Sequence, residues 1–307
     1  MGSKVLVLLK WMFSRIGFIY FLIVLLAILV VDFNAAGSRI KIRRLNDARP
    51  DMSALVSFGQ GEIPADKFNW KPYLNYFSLV VDYMPGESVT KMFLGICEYY
   101  TGDPHKTAWG HIQRAGEEYP FIFWSLYNAG VLAFERGDME LAMRYLDRAL
   151  ILPPDRINDA IRGSVIYRQL MSSPNFNIQV IDQINAVQEN IYLLLAAANF
   201  YTKDYEKART LALYPLSKMD VKDKEPFYFY AGAASMGLGH APEAMAFMSK
   251  CVELKSKNPQ VYRYAGGILK ASGKTDVAED VLRTGQALES HQQKGFPYPE
   301  RLGLRFF

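Results

Sequence analysis

Cysteine and histidine are scarce in this chain, at two and four in 307 residues. Cys97 and Cys251 form no Cys-x-x-Cys pair, which removes the redox dithiol and the zinc ribbon. Both lie among apolar neighbours in stretches of helical periodicity and read as buried structural thiols. His105 and His111 are off the i,i+4 spacing of a helical metal pair, and His240 and His291 stand alone. There is no His-Glu-x-x-His and no Gly-rich phosphate loop; Gly237-x-Gly239 follows no strand pattern, so it is not a dinucleotide fingerprint. Glu117-Glu118 and Asp220–Glu225 read as solvated turns. The expectation is therefore no catalytic residue, no metal site, no cofactor and no enzymatic activity. Charge of one sign is also in short supply: 35 Lys and Arg face 31 Asp and Glu, a net charge of +4. Much of that excess sits in Arg39, Lys41, Arg43, Arg44 and Arg49, with no aromatic-plus-basic module beside it, so no nucleic-acid partner is expected.

Apolar surface, by contrast, is abundant. Hydrophobic residues make up 50% of the chain and aromatics 14%, ample for a sizeable core. Ile16–Val31 is an uncharged run. As a helix it spans about 24 Å, or about 31 Å with Trp11–Phe13 and a snorkelling Arg15, enough for a bilayer core. A removable signal peptide is the competing reading, but its apolar region is shorter and the small-residue pattern before Ala36 is incomplete. An uncleaved, single-pass anchor is favoured. Lys4, Lys10 and Arg15 precede the run and the Arg39–Arg49 group follows it, so the charge vote on orientation is nearly balanced. Arg15 abuts the run and Asp32 opens the other flank, which leans the remainder of the chain to the non-cytoplasmic (periplasmic) side. The opposite sense stays open, since Arg39–Arg49 would also suit an anionic cytoplasmic leaflet.

Past residue 88 the small residues fall on a lattice. Gly232, Gly239 and Ala244 recur 34 residues later as Gly266, Gly273 and Ala278. Gly130, Gly137 and Ala142 keep the same internal spacing, with Leu146 and a closing Pro154. Leu126–Ala129–Gly130, Tyr228–Ala231–Gly232 and Tyr262–Ala265–Gly266 resemble the first-helix signature of the tetratricopeptide repeat, and the period matches that family's. Weaker copies stand at Leu94–Gly95 with Gly102, and at Tyr192–Leu195–Ala196 with Tyr205 and Ala208. Residues 156–188 read as a further hairpin, split at Ser172–Asn175 and without lattice glycines, and Pro215 should kink or end the helix that holds it.

The resemblance implies an all-α, right-handed superhelix of helical hairpins behind one transmembrane helix, each unit burying its apolar face only against its neighbours. Divided by pattern, 1–31 is tail and anchor, 32–64 a basic juxtamembrane linker, 65–294 the array and 295–307 an extended tail. The resemblance further implies that the first helix of each pair lines a concave groove. Met92, Ile96, Tyr99, Trp124, Tyr127, Phe134, Phe229 and Met236 are the candidates there, a poorly charged set suited to an apolar peptide or helix of a protein partner. The Lys and Asn that hold a partner's carboxylate in some relatives have no counterpart at Met92 and Ile96 or at Tyr127 and Val131; Asn128 and Arg263 are isolated polar groups. The tail Gly295–Phe307 either packs on its own array or binds a partner. The resulting expectation is a membrane-anchored interaction scaffold serving assembly of a membrane or envelope complex. A permanent structural subunit is the alternative, and homo-oligomerisation is left open.

Overall fold

The computed structural model describes residues 15–102, 107–119, 121–172, 180–289 and 303–305, with isolated positions before residue 15. The described residues are overwhelmingly helical. α1 (Arg15–Ala48) is a single helix of 34 residues, about 51 Å long, and its Leu22–Ala48 portion is long and apolar enough to cross a membrane. Its apolar residues from Ile19 to Val31 are exposed wherever they are described. The helix then runs on through the basic residues and docks: Lys41 Nζ stands 5.5 Å from the centre of the Tyr83 ring and Arg44 Nη1 lies 3.5 Å from the Tyr83 hydroxyl. Residues 32–64, expected as a linker, are thus helical over 32–48 and again in α2 (Met52–Gly59), whose Met52, Leu55 and Val56 join the core. No Pro or Gly pair interrupts 32–48, and Asp51 caps α2 by accepting from Ser53 N–H at 2.9 Å.

α3 (Lys71–Tyr83) packs against α1 and against α4 (Ser88–Thr101), and five antiparallel hairpins follow in a stack. They are α4 with α5 (Trp109–Glu118), α6 (Phe123–Glu135) with α7 (Met139–Leu150), α10 (Val180–Tyr201) with α11 (Tyr205–Lys218), α12 (Glu225–Gly237) with α13 (Ala241–Glu253), and α14 (Pro259–Ala271) with α15 (Thr275–Glu289). The three joints that carry a lattice glycine are built by the same rule. Gly137 takes φ +81°, its N–H bonds to the Phe134 carbonyl and that of Asp138 to the Ala133 carbonyl. Gly239 and Gly273 repeat both bonds at φ +79° and +78°. This left-handed ending satisfies carbonyls that the helix would otherwise leave open. Asp138 and Asp204 then cap the second helix of their hairpins.

The other lattice glycines set the distance between partner helices. A Cβ on Gly130 would lie 2.6 Å from Leu146, one on Gly232 2.9 Å from Met248, and one on Gly266 2.5 Å from Leu282. Gly95 meets Ile112 at 2.6 Å in the same way. Ala142, Ala208, Ala244 and Ala278 are buried at the opposing positions. Gly102 departs from the pattern, ending α4 at φ −141°. Pro154 opens the next helix, where its missing N–H costs nothing. α11 ends at Lys218, three residues past Pro215.

The centre differs from the sequence-based expectation. Of the stretch 156–188, expected as a stacked hairpin, the described helices α8 (Pro154–Gly163) and α9 (Val165–Met171) leave the stack, and α10 packs directly on α7. α10 runs 22 residues because nothing between Gln188 and Tyr192 breaks it. α9 crosses to α2 and to the start of α4, where Tyr167 meets the Phe93 ring at 5.7 Å and Ser164 Oγ donates to Glu87 at 2.8 Å. Residues 173–179, including Pro174, lie outside the described residues. Cys97 and Cys251 are free and fully buried, and burial pushes both thiols up.

Candidate groove site

The first helices α4, α6, α10, α12 and α14 form one layer, so residues projecting sideways from them meet the next first helix rather than solvent. Seven of the eight groove candidates are buried, and four of them make such a contact. Met92, Ile96, Tyr99, Trp124, Tyr127, Phe134 and Phe229 are buried; Met236 is half-buried. Met92 Sδ accepts from Ser125 Oγ at 3.4 Å, Tyr99 donates to Glu135 at 2.9 Å, Phe134 faces Tyr201 at 6.4 Å and Phe229 faces Tyr264 at 6.1 Å. The aromatic set is therefore first of all the cement between neighbouring repeats.

A different pair of residues meets the main chain of the tail. Asn128 on α6 is fully buried; its Nδ2 donates to the Arg305 carbonyl at 2.7 Å and its Oδ1 accepts from the Arg305 N–H at 2.8 Å. Tyr100 on α4 donates to the Leu304 carbonyl at 3.4 Å. Leu304 is 2% exposed and belongs to the same core cluster as the repeats. Gly303 turns at φ +67°, so close to Tyr100 that a Cβ would stand 3.1 Å from its hydroxyl. Beside these residues an open crevice of about 310 Å³ lies between Tyr100 and the α2–α3 loop at Ile63–Ala65. Of the tail 295–307, residues 303–305 alone are described.

The floor beneath is aromatic. Phe123 stacks on Tyr127 at 6.4 Å, and Trp124 meets both edge-on. Among the described residues Trp124 Nε1 finds no hydrogen-bond partner. Burial pushes the Tyr127 hydroxyl up to about 12, against the opposing pull of the Arg305 charge. The wall toward α2 is aromatic too, with Trp70 stacked on Tyr100 at 4.5 Å and Phe58 edge-on to Trp70 at 4.7 Å.

Sequence reasoning had marked Asn128 as an isolated polar group and passed over Tyr100. The available signal was Asn128 itself, an amide inside the otherwise apolar run Leu126–Phe134. Arg263, the other polar residue noted, is paired with Glu289 at the far end of the stack. Among the described residues no three His, Cys, Asp or Glu side chains gather as metal ligands would; His105 and His291 lie outside those residues. A second, shallower crevice of about 580 Å³ opens on the other layer, where Lys250 Nζ sits 4.8 Å over Tyr228 and Tyr214 stacks on Tyr192 at 4.9 Å.

No protein-family model and no curated protein matches the chain. Solved structures do resemble it. A crystal structure of MamA shares 16% identity at a TM-score of 0.48, covering 69% of this chain and 98% of its own. MamA from Desulfovibrio magneticus RS-1 shares 14% at 0.44, covering 73% and 97%. The TPR2AB domain of yeast Sti1, solved as its pHSP90 complex, shares 13% at 0.31, covering 81% and 92%. These scores are too low to carry an argument. The tetratricopeptide architecture of the array rests on its own period, its joints and the close approaches at Gly130, Gly232 and Gly266.

Proposed function

We propose that the protein is a membrane-anchored interaction scaffold without enzymatic activity, holding an apolar segment of a protein partner against the first-helix layer. It would serve assembly of a membrane or envelope complex. The observation that supports this best is the main chain of residues 304 and 305 held by Tyr100 and Asn128, over an aromatic floor. A surface that pairs with main-chain N–H and C=O accepts peptides by backbone and sorts them by the side chains its pockets admit. α1 would cross the bilayer once. Because it continues as helix to Ala48 beside the array, it would hold the groove at a set distance from the membrane face rather than on a loose tether. Anchoring raises the local concentration of membrane partners, so modest affinity suffices. We place the array on the non-cytoplasmic side, following the flanking charges.

Two measurements test this reading. A photo-reactive residue at Met236, on the inner layer, should cross-link a second membrane or envelope protein in living cells, whereas one at Tyr214 on the outer layer should not. Equal yields from both positions would remove the groove from the account. For orientation, Cys97 and Cys251 are buried, so a cysteine introduced at the exposed Lys255 would be the reactive thiol. It should react with a membrane-impermeant maleimide on intact cells; protection until lysis would reverse the orientation.

A further inference from the structure

Asn128 lies 177 residues from its partner in sequence, and the pairing uses both halves of its amide on the main chain of one residue. Two such bonds read an extended backbone without regard to the side chain of residue 305. A fully buried amide deprived of both partners is costly, so this position on α6 makes physical sense with a peptide main chain opposite it. The neighbouring contacts add selectivity. Leu304 enters the core cluster at 2% exposure, the Tyr100 hydroxyl holds its carbonyl, and Gly303 supplies a left-handed turn that a side chain would strain.

We infer that Gly303–Arg305 is the resident ligand of the groove, bound in cis, and that a partner enters by displacing it with an extended segment bearing a leucine-sized residue at the Leu304 position. This rests on the scaffold reading above and adds to it a latch and a sequence preference. The connection from α15 comprises residues 290–302, short enough to keep the tail at high effective concentration beside its own site. A competitor therefore meets a site that is open only part of the time. Its apparent dissociation constant rises in inverse proportion to the open fraction, about 100-fold if the latch is open one part in a hundred.

The test uses the full membrane-anchored chain in detergent micelles and a fluorescein-labelled peptide of residues 295–307, read by anisotropy. A chain ending at residue 294 should bind the peptide, and the intact chain should bind at least about tenfold more weakly. Gly303→Val, which cannot hold φ +67° without strain, should open the intact chain toward the truncated value even if truncation itself harms folding. Asn128→Ala in the truncated chain should abolish binding while far-UV circular dichroism is unchanged. Equal binding to intact, Gly303→Val and truncated chains would overturn the latch while leaving the groove standing. No binding to a folded truncated chain, together with Met236 cross-links to a partner in cells, would overturn the tail as ligand but not the scaffold. An intact dimer that truncation dissolves would show the tail binding in trans and overturn the cis assignment.

Discussion

The hairpin pairs α4–α7 and α12–α15 share their construction but differ in what covers them. In both, a small residue lets the partner helices approach to the same tight spacing, and a buried alanine faces it. In the second stretch the first helices still present Arg263 and Gly267 to solvent. In the first, the inner side is occupied: α9 packs against Phe93 and Glu87, and residues 303–305 lie on Tyr100 and Asn128. Repeats fix the shape of the molecule, then, while the segments that break the repeat decide which part of the groove is filled. The filled half also carries the fully buried aromatic side chains of Trp124 and Tyr127.

That contrast has a chemical signature, and it gives the largest expected effect. The Tyr127 hydroxyl is raised to about 12 by burial, above its ordinary value near 10. Its contribution is fully present below pH 10 and is lost as pH rises through 12, because the unfolded chain releases the proton first. Tyr127→Phe should change stability little at pH 7. Its advantage over the parent should grow to about 2–3 kcal/mol by pH 12, measured by urea unfolding. Tyr264→Phe, in the open half and raised by a smaller degree of burial, should gain less. Equal gains would erase the difference between the two halves.

A smaller effect tests the likeness rather than the difference. Gly130→Ala and Gly266→Ala each place a Cβ within 2.6 Å of a leucine, which should cost about 1–3 kcal/mol of overpacking, partly offset by about 1 kcal/mol of helix propensity. Gly267→Ala, one residue along and with nothing within 4 Å, should gain up to about 1 kcal/mol. Thermal unfolding of the three variants decides it. If Gly266→Ala and Gly267→Ala behave alike, the lattice is not a packing device.

The lattice was legible in the sequence because its causes are local: a left-handed turn and a helix contact at fixed spacing select Gly and Ala whatever surrounds them. The same locality marks Leu94–Gly95 as a weaker copy, and Gly95 stands against Ile112 where Gly130 meets Leu146. What escaped was non-local. Helical pattern alone could not say that α8–α9 would leave the stack, since 154–171 is as amphipathic as a stacked hairpin. Nor could it show that Tyr100 and Asn128 meet residues 304 and 305, pairings that span 204 and 177 residues. The groove candidates were chosen by helical register, which identifies the inner layer but cannot separate a side chain facing solvent from one wedged against the next first helix.

The smallest effect concerns the joint that obeys the rule without the usual residue. Lys203 stands where Gly137, Gly239 and Gly273 stand, at φ +67°, with the same bonds from Lys203 N–H to the Phe200 carbonyl and from Asp204 N–H to the Asn199 carbonyl. A side chain in that region costs about 1–2 kcal/mol, because Cβ crowds the carbonyl oxygen. Glycine would relieve it but gives the unfolded chain more freedom, returning up to about 1 kcal/mol. Lys203→Gly should therefore stabilise the chain by about 0.5–1 kcal/mol, while Gly137→Ala should destabilise it by about 1 kcal/mol or more. Both are read by chemical denaturation at neutral pH. A gain at residue 203 would show that the central repeat keeps the shared joint under strain. A loss would mean that the Lys203 side chain makes a contact worth more than the strain, and that this repeat is held by something its neighbours lack.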